Sequence, residues 1–115
     1  MFATIQDVDV SEYERIIAIS DIHGAATLFD RLLQTVGFCQ NDALILAGDY
    51  IERGDASLTL VRRMMALCQQ GNVFALKGNC DNLIDDLFES RFRGDMLRYL
   101  TRHPHTILHE MLHEQ

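Results

Sequence analysis

Tryptophan is absent from this 115-residue chain, proline occurs once and cysteine three times. A single proline and a charged fraction of 23% argue against a disordered or low-complexity segment. The cysteines, Cys39, Cys68 and Cys80, are odd in number and far apart. That usage argues against a disulfide framework and fits reduced thiols in a cytoplasmic protein. No apolar run approaches the ~20 residues of a membrane span, and the acid-containing N-terminus does not read as a signal peptide, so no membrane partner is expected. Basic residues are in deficit, 10 against 17 acidic, for a formal net charge of -7. This balance disfavours a nucleic-acid polymer as partner and suits a protein that gathers cations.

What is present is apolar material for one core. Hydrophobic residues make up 48% of the chain, and the length fits a single domain over residues 1–115, with a thin stability margin expected at this size. Arg15 to Ser20, Ala43 to Ala47 and Asn72 to Leu76 are short β-branched or apolar runs that read as buried strands. Between them lie two stretches of helical period. The first, Ala25 to Val36, carries Leu28, Phe29, Leu32, Leu33 and Val36, with Gly37 as its stop. The second, Ser57 to Gln70, carries Leu58, Val61, Met65 and Cys68, with Gly71 as its C-cap glycine. The order β-α-β-α-β with short connections predicts an α/β fold built on a parallel sheet. Beyond residue 82 the pattern turns helical, first around Leu83, Ile84, Leu87 and Phe88. Met96, Leu97 and Leu100 mark a second helix, and after Pro104 come Ile107, Leu108, Met111 and Leu112. The motif-bearing core is thus about 15–82, with a helical extension over 83–115.

Each predicted strand runs into a polar loop: Asp21-Ile22-His23-Gly24, then Gly48-Asp49-Tyr50-Ile51-Glu52-Arg53-Gly54, then Gly78-Asn79-Cys80-Asp81. Parallel strands bring their carboxyl ends to one sheet edge, where ligands bind in such folds. Carboxylate, imidazole and amide donors suit hard or borderline divalent cations. A carboxylate such as Asp49 can bridge two ions, and an ion pair serves in-line phosphoryl displacement. Arg53 offers a fork of donors for phosphate oxygens.

The three loops together resemble the Asp-x-His-Gly, Gly-Asp-x-x-Asp-Arg-Gly and Gly-Asn-His-Asp/Glu motifs of the calcineurin-like metallophosphoesterase superfamily. The Arg-Gly ending of the second loop is most similar to the phosphoprotein phosphatase branch, which includes serine/threonine protein phosphatases and diadenosine tetraphosphate hydrolases. The likeness runs over about residues 15 to 82. It implies the N-terminal half of an α-β-β-α sandwich and two divalent metal ions, manganese, iron or zinc. It further implies that Asp21 and His23 hold the first metal and Asp49 bridges both. Asn79 would bind the second metal and phosphate, and Arg53 would bind phosphate. The implied catalytic set is Asp49, Arg53, Asn79 and Cys80, acting on a phosphorylated protein or a small phosphoester through a dinuclear-metal-activated hydroxide. Two alternatives stand beside this phosphomonoesterase reading: a phosphodiesterase or dinucleoside polyphosphate hydrolase, and a catalytically incomplete domain that binds metal or phosphate.

The chain departs from the pattern where Glu52 replaces Asp and Cys80 replaces His, two side chains that pair in the family. Cys80 is then either a proton donor or a small residue that merely fits. Asp81 reads as the N-cap of the following helix. Cys39 and Cys68 read as core-facing or incidental thiols. His105, His109 and His113 recur at every fourth residue and so share a helical face. Such a face can hold zinc, but a solvated helix edge is the preferred reading. The histidines that complete the family's metal pair from later strands have no counterpart after Asn79. The expectation is therefore a portion of a longer enzyme, with an open sheet that favours homo-oligomerisation.

Overall fold

The computed structural model describes residues 5–89 and 93–113. Three strands, β1 (Arg15–Ile19), β2 (Asp42–Leu46) and β3 (Val73–Ala75), form one parallel sheet in the order β1-β2-β3. Helices α1 (Ala26–Val36) and α2 (Ser57–Cys68) make the crossovers. Three further helices follow the sheet: α3 (Asn79–Glu89), α4 (Arg93–Arg102) and α5 (Ile107–His113).

The core lies on one face of the sheet. Leu44 and Leu46 of β2 are fully buried, and with Ile17, Ile19 and Val73 they face Phe29 and Leu33 of α1 and Leu60, Met64 and Leu67 of α2. Strand side chains alternate, so Ile16 points to the opposite face, where it is exposed. Phe29 is closed off on all sides, and truncating a buried phenylalanine costs roughly 3–5 kcal/mol. Ile84 of α3 packs into the same core, and Ile107 and Leu108 of α5 close it.

The strands and both crossover helices fall where the apolar runs predict them, but the buried helix faces differ. Leu28 and Leu32 of α1 are exposed, and the buried stripe is Ala26, Phe29 and Leu33. In α2, Met65 is 63% exposed while Leu60, Met64 and Leu67 are buried, with Leu58, Val61 and Cys68 packed partly against them. Each helix carries two adjacent apolar stripes of identical period, so period cannot choose between them. Gly37 caps α1 in the left-handed conformation, as expected. Helix α2 instead caps at Gln69, and Gly71 lies in the turn beyond. The expected apolar contacts of Phe88, Met96 and Leu97 lie outside the described side chains.

Register is fixed at the strand beginnings by a bidentate ion pair. Arg15 donates through Nε and Nη2 to the two oxygens of Asp42, both at 2.8 Å, and Arg15 pairs with Asp42 in the ladder. The Asp42 carboxylate also accepts from the Cys39 N–H at 3.0 Å. The guanidinium, helped by that N–H, holds the buried Asp42 carboxyl down to about 2. A depressed carboxyl contributes stability that is complete above its unfolded value of about 3.9 and is lost as pH falls through the folded value. Thermal unfolding followed from roughly pH 5 down to pH 2 is expected to show the parent chain losing stability across that window. An Asp42→Asn variant, weaker at neutral pH, is expected to show a smaller loss across it, and equal slopes would refute this role for the pair.

Candidate metal centre

At the carboxyl edge of the sheet the first two loops continue the parallel pairing past the strands. The N–H groups of Asp21, His23 and Gly24 donate to the carbonyls of Gly48, Asp49 and Tyr50 at 3.1, 3.1 and 2.7 Å. This extension needs an unusual backbone. Asp21, His23, Asp49, Glu52 and Arg53 all adopt positive φ, between 45° and 73°. Left-handed backbone is uncommon outside glycine, although Asp and His tolerate it better than most, and its clustering at one edge marks stored strain of the kind found at functional sites. Two glycines permit the close packing. A Cβ at Gly54 would meet the His23 carbonyl oxygen at 2.0 Å, and a Cβ at Gly78 would meet Asp49 Oδ1 at 2.4 Å. The loops therefore interlock through backbone that no side chain could enter.

The strained residues present ligands to one point. Asp21, His23 and Asp49 each offer one donor atom, and the three atoms lie within 4.8 Å of one another. His23 Nδ1 sits 3.1 Å from the Ile51 carbonyl. A carbonyl only accepts, so Nδ1 is the donor to it, and Nε2, 3.7 Å from Asp21 Oδ1, is the ring nitrogen that faces the cluster. Asp21 is largely exposed, and the Ser20 hydroxyl, which donates to it, is the main cause holding its carboxyl below the usual range. The set of two carboxylates and one imidazole nitrogen fits a divalent cation.

A third carboxylate holds this edge without joining the cluster. Asp81 Oδ2 accepts from the N–H groups of Asp49 and Gly78, both at 2.9 Å, and Oδ1 accepts from the Tyr50 N–H at 3.0 Å. Asp81 is thus not the N-cap of α3. It lies at the third position of the helix and reaches back to the residue before it, the acidic half of a capping box, while bolting the second loop to the third. The Cys80 N–H donates to Asp49 Oδ1 at 2.9 Å. Asn79, exposed at the start of α3, lies between two residues that contact Asp49. The Tyr50 hydroxyl sits against the carbonyls of Leu46, at 2.5 Å, and Leu76, joining the ends of β2 and β3. Burial pushes that hydroxyl up to about 12, so it stays protonated.

Glu52 turns away from the cluster. It is buried, and Oε1 accepts from Thr106 Oγ1 at 2.9 Å and the Ile107 N–H at 2.8 Å, while Oε2 accepts from the Tyr99 hydroxyl at 2.5 Å. The loop is further tied down where the Glu52 N–H donates to Ser57 Oγ at 3.1 Å. Sequence reasoning gave Glu52 no such part, because its partners lie in the helical extension. Glu110 of α5 accepts from the Ser57 N–H at 3.1 Å and so caps α2. Arg53 is exposed and makes no ion pair with Glu52 among the described residues. Cys80 is a partly buried free thiol. Burial, then the Asp49 charge, raises its pKa, so it holds its proton at neutral pH.

The remaining candidates fall elsewhere. His109 Nε2 lies 2.8 Å from the Leu100 carbonyl, His105 precedes α5, and His113 ends it exposed. The face of three does not form, because α5 begins only at Ile107, and of the pair that remains on it, His109 is bonded to the Leu100 carbonyl. Cys39 is exposed, and Cys68 packs partly against the core.

The sequence model of a family described as calcineurin-like phosphoesterase matches residues 14–111. The chain is 41% identical over 64 residues to a symmetrical bis(5'-nucleosyl)-tetraphosphatase of Acidovorax sp. (strain JS42), covering 55% of this chain and 22% of that protein. A protein of the same name from Wigglesworthia glossinidia brevipalpis is 39% identical over 62 residues, 53% of this chain and 22% of its own length. Serine/threonine-protein phosphatase 2 of Escherichia coli (strain K12) is 35% identical over 86 residues, 74% of this chain and 38% of that protein. The chain thus spans 22% to 38% of these relatives.

Two substitutions test the carboxylates that frame the centre. Asp81→Asn turns an amide toward N–H groups that need an acceptor, and manganese affinity measured by calorimetry is expected to fall roughly 10–100-fold, the usual cost of losing a ligand's support. Unchanged affinity would remove Asp81 from the centre. Glu52→Ala leaves the Ile107 N–H and Thr106 hydroxyl buried without their acceptor. Urea unfolding is expected to show a loss of roughly 2–4 kcal/mol, and a loss below about 0.5 kcal/mol, the level of an ordinary surface substitution, would mean that the contacts are incidental.

Proposed function

The chain belongs to the calcineurin-like phosphoesterase family, and from that membership we propose that it carries part of the active centre of a metal-dependent phosphoric ester hydrolase. The observation that supports this reading most directly is the convergence of Asp21, His23 and Asp49 donor atoms on one point, held there by left-handed backbone. In this reading Asp21, His23 and Asp49 would hold one divalent ion, and Asp49 with Asn79 would help hold a second. When bound, such a pair of cations stabilises charge on the phosphoryl oxygens and makes a water nucleophile available at neutral pH. Manganese, iron and zinc all suit the donors, and the sparse cysteines favour a cytoplasmic setting.

The chain's own residues do the rest. Arg53, exposed beside the cluster, orients the phosphate through paired N–H donors. Asn79 offers its amide N–H groups to the same oxygens. In this reading Cys80 Sγ, kept protonated by burial, gives its proton to the departing oxygen, and that state disfavours its use as a nucleophile. The favoured substrates are phosphomonoesters, phosphorylated side chains included. The names of two of the relatives favour dinucleoside polyphosphates as a second substrate class.

The test is hydrolysis of p-nitrophenyl phosphate and of its bis-ester, with and without manganese, by this chain and by Asp49→Asn. Manganese-dependent turnover that drops at least ~100-fold in the variant is expected, a loss of about 2.7 kcal/mol of transition-state stabilisation. A preference for the bis-ester would move the assignment to a diesterase. A folded chain with no metal-dependent turnover would leave a binding domain.

A further inference from the structure

A cavity of about 250 Å³ opens beside the metal centre, between the second loop and the α4–α5 turn. Its walls include Arg53 and Cys80 on one side and Arg102, His103 and His105 on the other. The cavity adjoins the centre through two of these residues. The Cys80 N–H is bonded to Asp49 at 2.9 Å, and Arg53 is near enough to Asp21 to help lower its pKa.

The charge of these walls is opposite to that of the chain. The protein carries a formal net charge of -7, yet the cavity gathers two guanidinium groups against one carboxylate. That carboxylate is Glu52, and both its oxygens are already occupied by Tyr99, Thr106 and Ile107. Neither Arg53 nor Arg102 has an ion-pair partner among the described residues. The wall opposite the centre is also held in place. Tyr99 is bound to Glu52, and the His103 ring stacks on Tyr99 with centroids 4.0 Å apart, its Nδ1 bonded to the Tyr99 carbonyl at 3.1 Å. The His103 ring thus braces this wall and leaves the exposed Arg102 guanidinium beside it for a ligand.

We propose that this cavity is a subsite for a second anionic group on the substrate, recognised by Arg102 with His105 beside it, next to the phosphate that Arg53 holds. Such a group is the adjoining phosphate of a nucleoside polyphosphate or an acidic side chain flanking a phosphorylated residue. The subsite rests on the hydrolase reading for its neighbour, but its own walls bind anions with or without turnover. Guanidinium contacts to a charged group contribute about 1.5–3 kcal/mol, or roughly 10–150-fold in affinity.

The experiment is calorimetric binding of orthophosphate and of tripolyphosphate to the metal-free chain in the presence of a chelator, for the parent, Arg102→Ala and Arg102→Lys. The parent is expected to bind tripolyphosphate at least ~10-fold tighter than orthophosphate. That preference should vanish in Arg102→Ala and return in part in Arg102→Lys, with unaltered thermal unfolding showing that each variant folds. A parent without the preference, or Arg102→Ala retaining it, overturns the subsite even if p-nitrophenyl phosphate is hydrolysed. Conversely, a preference that depends on Arg102 in a chain without turnover upholds the subsite while the hydrolase reading fails. Competition by adenosine 5'-tetraphosphate and by a phosphoserine peptide flanked by aspartates then separates the sources. The anion whose affinity falls more in Arg102→Ala is the one the cavity is built for, and equal insensitivity of both overturns the proposal.

Discussion

The Asp81 carboxylate is the constraint on which the candidate centre depends. Where a parallel sheet ends, its strands leave main-chain N–H groups without ladder partners, and buried donors of that kind must find acceptors. Asp81 takes three of them, from Asp49, Tyr50 and Gly78, and so fixes two loops with one side chain. Asp49 in turn accepts from Cys80, which closes a ring of bonds around the sheet edge. An ionised acceptor suits this task because charge-assisted bonds are about twice as strong as neutral ones. The same ring points the Asp49 side chain toward Asp21 and His23.

Glu52 applies that device in the opposite direction. It stands at the end of the second loop, and its oxygens bind the helical extension instead of the third loop. The family pattern places an Asp and a His here that pair with each other. The longer Glu52 side chain reaches Tyr99 and Thr106, and Cys80 keeps a protonated thiol in place of an imidazole. Where that pattern has a dyad, this chain has a clamp that seats α4 and α5 and forms one wall of the neighbouring cavity.

Much of this was legible in the sequence, and the rest was hidden for physical reasons. β-branched runs that end in polar loops locate three parallel strands, because only buried strands place so many apolar residues in so few positions. Asp21, His23 and Asp49 could be grouped in advance because parallel strands deliver their carboxyl ends to one edge. The helix faces could not be chosen, since Leu28 and Phe29 carry equal weight in a periodic pattern and only the sheet decides between them. Asp81 was read as a cap because the Asp49 and Tyr50 N–H groups that donate to it lie more than a helix away in sequence. Its spacing after Gly78 was the available signal. Glu52 gave no signal, as nothing local marks Tyr99 or Thr106 as its partners. His105 was placed on the face of His109 and His113 because its spacing presumed one continuous helix, and α5 starts after it.

The backbone of the first two loops connects stability to chemistry. Positive φ at a non-glycine residue costs on the order of 1–3 kcal/mol, less for aspartate and histidine, and a domain of this kind has about 5–15 kcal/mol to lose. The three ligand residues Asp21, His23 and Asp49 are of the tolerant types, so the larger share of strain falls on Glu52 and Arg53. Those two are adjacent, and one of them is the clamp. The bonds from Glu52 to α4 and α5 offset the twist that turns Arg53 toward the cavity. Fold and site are therefore not separable here: the helical extension that completes the core also holds the arginine in the conformation from which it can meet an anion.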